Sequence, residues 1–313
     1  MIFKKIRRGH VDWRNFLCST PARDYVFQKE EYVSQLDRAV EYIRKADSII
    51  VGAGAGASTA AGIQYGGKRF TDNFGEFIEK YGVHYMTDMY AAGFYPYPSE
   101  EAKWGYWSKH ALMNRFDPPA LPLYTKLYDI VKSKEYFVLT TNVDHQFYKA
   151  GFDEKRIFAT QGDYGKIQCQ KACHSKTYDA EELFRKMDEA RKDCLIPSEL
   201  VPKCPVCGGN MAMNLRCDNY FVEDEAWHEA VDRYADFLEQ NKDKKVVLLE
   251  LGVGFNTPII IRFPFEKMMR ENPSYSLIRL NMDEAVVPES FGERAIGIGG
   301  DMAKAIADIR GLV

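Results

Sequence analysis

The 313-residue chain has no run of about 18 apolar residues, the length a membrane-crossing helix requires, so no transmembrane helix is expected. Its first residues, Met1-Ile-Phe-Lys-Lys-Ile-Arg-Arg, lack the apolar stretch of a secretory signal, and a cytoplasmic, reducing location is the default expectation. Charge of one sign is also missing. Lys and Arg number 42 and Asp and Glu 45, a net charge of −3. A nucleic-acid binder needs a basic face, and this balance argues against one. Seven cysteines are too sparse, and odd in number, for a disulfide scaffold. No internal repeat and no low-complexity tract is visible. What is present is a 46% hydrophobic, 28% charged composition, apolar enough for a core and against general disorder. The length suits one large domain, or a domain with a small satellite.

Short apolar runs alternate with longer helical patterns. Glu30 to Ala46 carries Val33, Leu36, Val40 and Ile43 at helical spacing. Strands are expected at Ile49–Val51, Tyr136–Thr140, Arg156–Ala159, Lys245–Leu251 and Ser276–Leu280. Helices are expected at Leu123–Lys132, Asp144–Ala150, Asp179–Arg191, Asp224–Gln240 and Asp301–Ile309. Residues 64–135 read as helical pieces with loops, rich in aromatics. The alternation predicts an α/β fold: a Rossmann-like parallel sheet with helices on both faces, plus a small zinc-binding module. The expected division is an N-terminal helical extension at 1–45, a nucleotide-binding domain at 46–164 and 218–313, and the zinc module at 165–217. Helices from about 64–110 contribute to that module.

Two patterns carry chemistry. Ile49-Ile50-Val51 opens into Gly52-Ala53-Gly54-Ala55-Gly56-Ala57-Ser58-Thr59-Ala60-Ala61-Gly62-Ile63, a strand entering a tight turn and a helix start. Such a turn suits a dinucleotide diphosphate, because glycine lets the backbone approach and the helix start offers free N–H groups. No Lys-Ser or Lys-Thr follows, which excludes a nucleoside-triphosphate P-loop. The acidic strand end expected about 20 residues on in a dehydrogenase is also missing. A plain packing turn explains the small residues equally simply. The second pattern is Cys169-x-x-x-Cys173 with Cys204-Pro-Val-Cys207-Gly-Gly, paired thiols suited to tetrahedral zinc. Buried free cysteines, a redox pair, or His174 in place of Cys173 are the alternatives; Cys194 and Cys217 are spare.

Gly54-Ala-Gly-Ala-Ser58-Thr-Ala-Ala-Gly62-Ile63 resembles the first signature of the sirtuin family. Thr140-Thr141-Asn142-Val143-Asp144 resembles that family's Thr-Gln-Asn-Ile-Asp segment. Gln161-Gly162 falls where sirtuins carry catalytic His-Gly, and the cysteine pairs follow where the family has its zinc module. Gly252-Val-Gly254, Leu280-Asn281 and Gly300-Asp301 fit three later nucleotide-contact segments. The match runs in order from about 46 to 309. It implies NAD as cofactor, one structural zinc ion on Cys169, Cys173, Cys204 and Cys207, and Asn142, Asp144 and Gln161 at the reacting centre. The implied NAD contacts are Gly54, Ala55, Gly56, Ser58, Thr59, Gly62, Ile63, Thr141, Asn142, Asp144, Gln161, Gly252, Gly254, Asn281 and Asp301. Arg69 and Phe70 stand in for the family's Phe-Arg pair, absent after Gly62-Ile63.

Glutamine has no titratable site near neutral pH, so Gln161 cannot act as the general base that sirtuin deacylation needs. It can still hydrogen-bond a ribose. The pattern resembles the microbial branch whose genes accompany macrodomain proteins. That branch implies protein ADP-ribosyl transfer to a lipoyl-carrier protein of glycine-cleavage H type, with release of nicotinamide and a macrodomain protein as a further partner. A deacylase with His145 or a water network as base, and a non-catalytic NAD or ADP-ribose binding module, are the alternatives. Simpler roles stand beside the catalytic ones: Ser58, Thr59, Asp144 and Asp301 are all suited to helix capping.

Overall fold

The computed structural model describes residues 21–313. Residues 1–20, with His10, Cys18 and the beginning of the expected extension, lie outside the described residues. A two-residue strand β1 (Tyr25–Val26) precedes helix α1 (Tyr32–Lys45). The buried stripe of α1 is centred on Leu36, Ala39 and Ile43, and Val33, expected on it, falls at its edge and is 66% exposed. Strand β2 (Ser48–Ala53) then turns into the short helix α2 (Ala55–Ala60). The expected helical pieces follow as α3 (Gly67–Tyr81), α4 (Met89–Gly93) and α5 (Glu100–Ala111). Helix α5 runs into a π-helical turn, Leu112–Phe116. Helix α6 (Pro122–Val131) has proline at its first position, where a missing N–H costs nothing.

Strand β3 (Glu135–Thr140), helix α7 (Gln146–Lys149) and strand β4 (Ile157–Ala159) come next. The small module follows: strands β5 (Gly162–Cys169) and β6 (Thr177–Asp179), helix α8 (Glu181–Ala190) and strand β7 (Met211–Leu215). The chain closes through α9 (Glu225–Asn241), β8 (Val246–Leu251), α10 (Arg262–Glu271), β9 (Ser276–Asn281), β10 (Val287–Pro288), β11 (Ala295–Gly299) and α11 (Met302–Leu312).

The main sheet has six strands in the order β11-β9-β8-β2-β3-β4, all parallel. Strands β2 and β8 are buried along their whole length, as a sheet covered on both faces requires. Their side chains alternate between two cores. Ile49, Val51, Leu249 and Leu251 meet α1, α6 and α11, whereas Ile50, Val246 and Leu248 meet α9 and α10. The α/β expectation is met. A second sheet, β6-β5-β7, is antiparallel and carries the cysteines. Its core is shared with α3 and α5: Phe70, Phe74, Trp104 and Tyr106 pack with Ile167, Phe184 and Met211.

The chain runs from β2 outward to β3 and β4, then returns to β8 on the other side of β2. The strand order therefore reverses between β2 and β8. The carboxyl ends of strands beside such a switch point are where open α/β sheets bind ligands.

Candidate functional site

The carboxyl ends of the six parallel strands carry the residues singled out in the sequence. Gly54 follows β2, Thr141–Asp144 follows β3, Gln161 follows β4, Gly252–Gly254 follows β8, Asn281 closes β9 and Asp301 follows β11.

At the switch point the glycines interlock. A Cβ on Gly54 would lie 2.8 Å from the Gly252 carbonyl oxygen, and one on Gly56 2.7 Å from the Gly252 Cα. Gly252 itself has φ +60°, and the Gly56 N–H donates to its carbonyl at 3.0 Å. These glycines are thus required by backbone-to-backbone packing between α2 and β8, a reason that the sequence pattern alone does not distinguish from close approach to a diphosphate. Ala55, Thr59 and Gly62 are exposed, and Ile63 is buried beneath them. The Thr59 hydroxyl donates back to the Ala55 carbonyl at 3.1 Å, so it does not cap the helix.

Ser58 faces inward. Its hydroxyl donates to Asp144 Oδ2 and lies 2.9 Å from the Tyr124 hydroxyl. Tyr124 in turn accepts from Asn142 Nδ2 at 3.3 Å. The other Asp144 oxygen accepts from the Gln146 N–H at 3.1 Å, which starts α7. Asp144 is therefore not the N-cap, which is His145, but it holds the helix's first N–H and joins the site. Burial pushes its carboxyl above the ordinary value, against the bonds from Ser58 and Gln146. The expected helix from Asp144 begins only at Gln146, because His145 adopts a left-handed conformation, φ 66°.

That backbone turn swings His145 toward Asp163. Its Nδ1 lies 2.7 Å from Asp163 Oδ2, and its ring stacks on Tyr148 at 4.1 Å. Arg115 Nε and the Gly165 N–H donate to the other Asp163 oxygen at 3.0 and 2.6 Å. Burial works against ionising Asp163, but these donors outweigh it and hold the carboxyl below its ordinary value. Gln161 is half-buried, its Nε2 donating to Thr160 Oγ1 at 3.1 Å. The Gly162 after it has φ +98°, and a Cβ there would overlap the Asn214 carbonyl oxygen at 1.9 Å, so β5 can leave this corner only with glycine.

Arg69 and Phe70 lie side by side in sequence but in different surroundings. Arg69 is half-buried and donates to Asn114 Oδ1 at 2.8 Å and to the Gln64 carbonyl at 3.0 Å. Phe70 is 1% exposed and stacks on Phe74 inside the small module's core. On the far side, Asn281 Oδ1 accepts from the Asp283 and Glu284 N–H groups, and its Nδ2 donates to the Val253 carbonyl. Gly254 sits beside the Glu284 carboxylate. Asp301 caps α11, accepting from the Lys304 N–H at 3.0 Å.

The sequence reading missed the π-helical residues Asn114 and Arg115, and it missed Tyr124. It also missed a charge cluster behind the switch point. Arg279 grips Glu250 with two bonds, 2.7 and 2.9 Å, and reaches Glu266 at 3.0 Å; all three are fully buried, as is Arg262. Charged residues inside the apolar runs of β8 and β9 were the available signal.

The four cysteine sulfurs lie within 4.8 Å of one another, with Cys169 to Cys207 at 3.7 Å and Cys173 to Cys204 at 3.6 Å. Tetrahedral zinc–thiolate bonds of about 2.3 Å put sulfurs roughly 3.8 Å apart, so the set fits one zinc ion. The Cys173 and Lys171 N–H groups pull Cys169 down to about 6, and those of Cys207 and Val206 lower Cys204, whereas burial and the neighbouring thiols raise Cys173. Among the described residues the candidate ligand set is these four thiols, which would hold the ion as thiolates. His174 stands outside it, between Cys173 Sγ and the Tyr178 hydroxyl.

A protein ADP-ribosyltransferase from Staphylococcus aureus is 38% identical over 278 residues, covering 88% of this chain and 87% of its own. The chain belongs to the protein ADP-ribosyltransferases built on the sirtuin fold. The expected NAD-dependent transferase class is that of its family. A probable bifunctional ADP-ribose hydrolase/ADP-ribosyltransferase from Fusarium oxysporum f. sp. cubense is 31% identical, and the chain spans about half of its length, 47%. The fold agrees with a Sir2 homologue solved as an NAD complex, at a TM-score of 0.56 and 16% identity over 94% of this chain and all of that one. A Sir2 protein bound to acetylated peptide gives a TM-score of 0.51 at 17% identity, covering 87% and 95%. No family model matches the chain. No helix among the described residues is long and apolar enough to cross a membrane.

Proposed function

We propose that the chain takes ADP-ribose from NAD, releases nicotinamide and transfers the ADP-ribose to a protein acceptor, with the nucleotide lying along the carboxyl ends of the sheet. The observation that carries this reading is the convergence of Gly54, Asn142, Asp144, Gln161, Gly252 and Asn281 on that one edge. Gly54, Ala55, Gly56, Ser58, Thr59, Gly62 and Ile63 form the turn beside the diphosphate. Thr141 contacts the nucleotide beside Asn142, and Gly252, Gly254, Asn281 and Asp301 serve the adenosine half. Arg69 reaches the cleft from the small module's side, with Phe70 as its buried support. The unit at 46–164 and 218–313 holds the nucleotide, and the module at 165–217 covers it, pinned by zinc on Cys169, Cys173, Cys204 and Cys207.

In the transfer, the bond from ribose C1′ to nicotinamide breaks with its electron pair going to nicotinamide. The acceptor nucleophile bonds to C1′ and loses its proton to solvent. Positive charge on the sugar is greatest between these events, so the protein must present fixed dipoles there. Asn142 offers an amide for that place, and the buried Asp144 supplies negative potential behind it. Gln161 orients ribose hydroxyls. His145 is positioned by Asp163 and Tyr148 and is assigned no part in the transfer.

A lipoylated carrier of glycine-cleavage H type is the acceptor implied by the resemblance. The bifunctional relative's name, which pairs a transferase with an ADP-ribose hydrolase, supports a macrodomain protein as the partner that removes the modification. NAD labelled in its adenine half tests the reading. The label is expected on a lipoylated carrier, with Asn142→Ala losing about 100-fold or more of the rate. Acylated ADP-ribose as the labelled product, or no turnover at all, would contradict it, and equal labelling of an unlipoylated carrier would remove the lipoyl requirement.

A further inference from the structure

Four polar side chains from three segments form one hydrogen-bonded chain: Asn142 and Asp144 on the loop between β3 and α7, Tyr124 on α6 and Ser58 on α2. The last three are buried, at 0% for Tyr124, 6% for Ser58 and 2% for Asp144, while Asn142 is half-buried and forms the chain's outlet. Each hydroxyl has a single proton to give. The Ser58 proton goes to Asp144 Oδ2. The Ser58 oxygen is then free to accept the Tyr124 proton across 2.9 Å. The Tyr124 oxygen, its proton spent, accepts from Asn142 Nδ2 at 3.3 Å. Every bond in the chain therefore runs one way, toward the carboxylate.

The direction has a consequence for the outlet. An amide whose nitrogen is held inward by Tyr124 must present its carbonyl oxygen on the opposite side. We propose that Tyr124 and Ser58 are positioning residues that relay the charge of Asp144 to Asn142 and hold the Asn142 carbonyl oxygen outward, toward the sugar on which positive charge develops. This rests on the transferase reading above and says how its central residue is oriented. The ring of Tyr124 is fixed edge-on against Phe147 at 4.9 Å, so its hydroxyl has one place to go. Without the relay the Asn142 amide rotates, and its NH2 group faces the cationic sugar for part of the time.

Tyr124→Phe removes the hydroxyl and keeps the packing on Phe147. The measurement is nicotinamide release from NAD, with kcat and KM separated. The variant is expected to lose about tenfold in kcat, the equivalent of one hydrogen bond of about 1.4 kcal/mol, with KM for NAD changed less than about twofold. Ser58→Ala is expected to fall in the same range. The double variant Ser58→Ala/Tyr124→Phe should be no slower than the worse single one, because either change cuts the same relay. In an Asn142→Ala background, Tyr124→Phe should have no further effect. A wild-type kcat for Tyr124→Phe, or losses that multiply in either pairing, would overturn the relay while leaving the transferase reading in place. An Asn142→Ala variant releasing nicotinamide at the wild-type rate would remove both.

Discussion

The sheet unit and the cysteine module solve the same stability problem by different means. In the sheet unit, β2 and β8 are buried end to end between two helical layers, and its large apolar area holds the strand ends in place. The module at 162–215 has three strands of three to eight residues and one helix of ten, too little to close a core alone. It borrows aromatic side chains from α3 and α5 and ties its loops with four cysteines. Residues proposed to meet the reacting sugar and diphosphate thus stand on the rigid unit, and Gln161 stands at the corner where the chain passes to the other.

Removing zinc should break this comparison most widely. The expectation is about one equivalent of zinc in the purified protein. Structural zinc contributes on the order of 10 kcal/mol to small modules, so chelation or Cys204→Ser should loosen the packing around Trp104 and Trp107 while the six-stranded sheet persists. Near-ultraviolet and far-ultraviolet circular dichroism read the two effects separately. Less than about half an equivalent of metal with the fold fully retained would contradict the assignment.

Glu250→Gln should act on the opposite unit. It leaves Arg279 and Arg262 buried without their shared carboxylate, a loss of about 3–5 kcal/mol in chemical denaturation. The metal content should not change. A loss under about 1 kcal/mol would show that Glu266 and Glu284 suffice to hold the two arginines.

The smallest effect belongs to the corner between the units. The Asp163 carboxyl is depressed in the folded state, so its contribution is full above the ordinary carboxylate pKa of about 3.9 and is lost as pH falls through the folded value. Between about pH 5 and pH 3, the wild type should lose more stability than Asp163→Asn. Parallel pH profiles for the two proteins would show that His145 and Arg115 contribute nothing through Asp163.

Much of the sheet unit was legible because its strands are apolar runs ending in small or polar residues. Strand β11 was not: Ala295-Ile-Gly-Ile-Gly299 has two glycines in five residues, which weakens its strand pattern. Helix α10 was hidden because Arg262 and Glu266 occupy its buried face, where their partners come from other elements: Arg279 and Tyr25 for Glu266, Glu250 and Glu284 for Arg262. The module's three strands were obscured by the cysteine spacing that announced the metal site. Motif residues on strand ends were readable in order, but Tyr124 looked like core, since nothing local says that its hydroxyl meets Ser58. The role of His145 likewise depended on a left-handed backbone that the expected helix would not allow.

The central claim is that this site transfers ADP-ribose and uses Gln161 to position the sugar, not to remove a proton. Acceptor labelling and acyl-lysine peptide turnover, run side by side for the wild type, Gln161→Ala and Gln161→His, test it most directly. The account predicts labelling by the wild type, a penalty of roughly 1–3 kcal/mol for Gln161→Ala, and little deacylation by Gln161→His even with a base of pKa about 6.5 in place. Efficient deacylation by the wild type would contradict it.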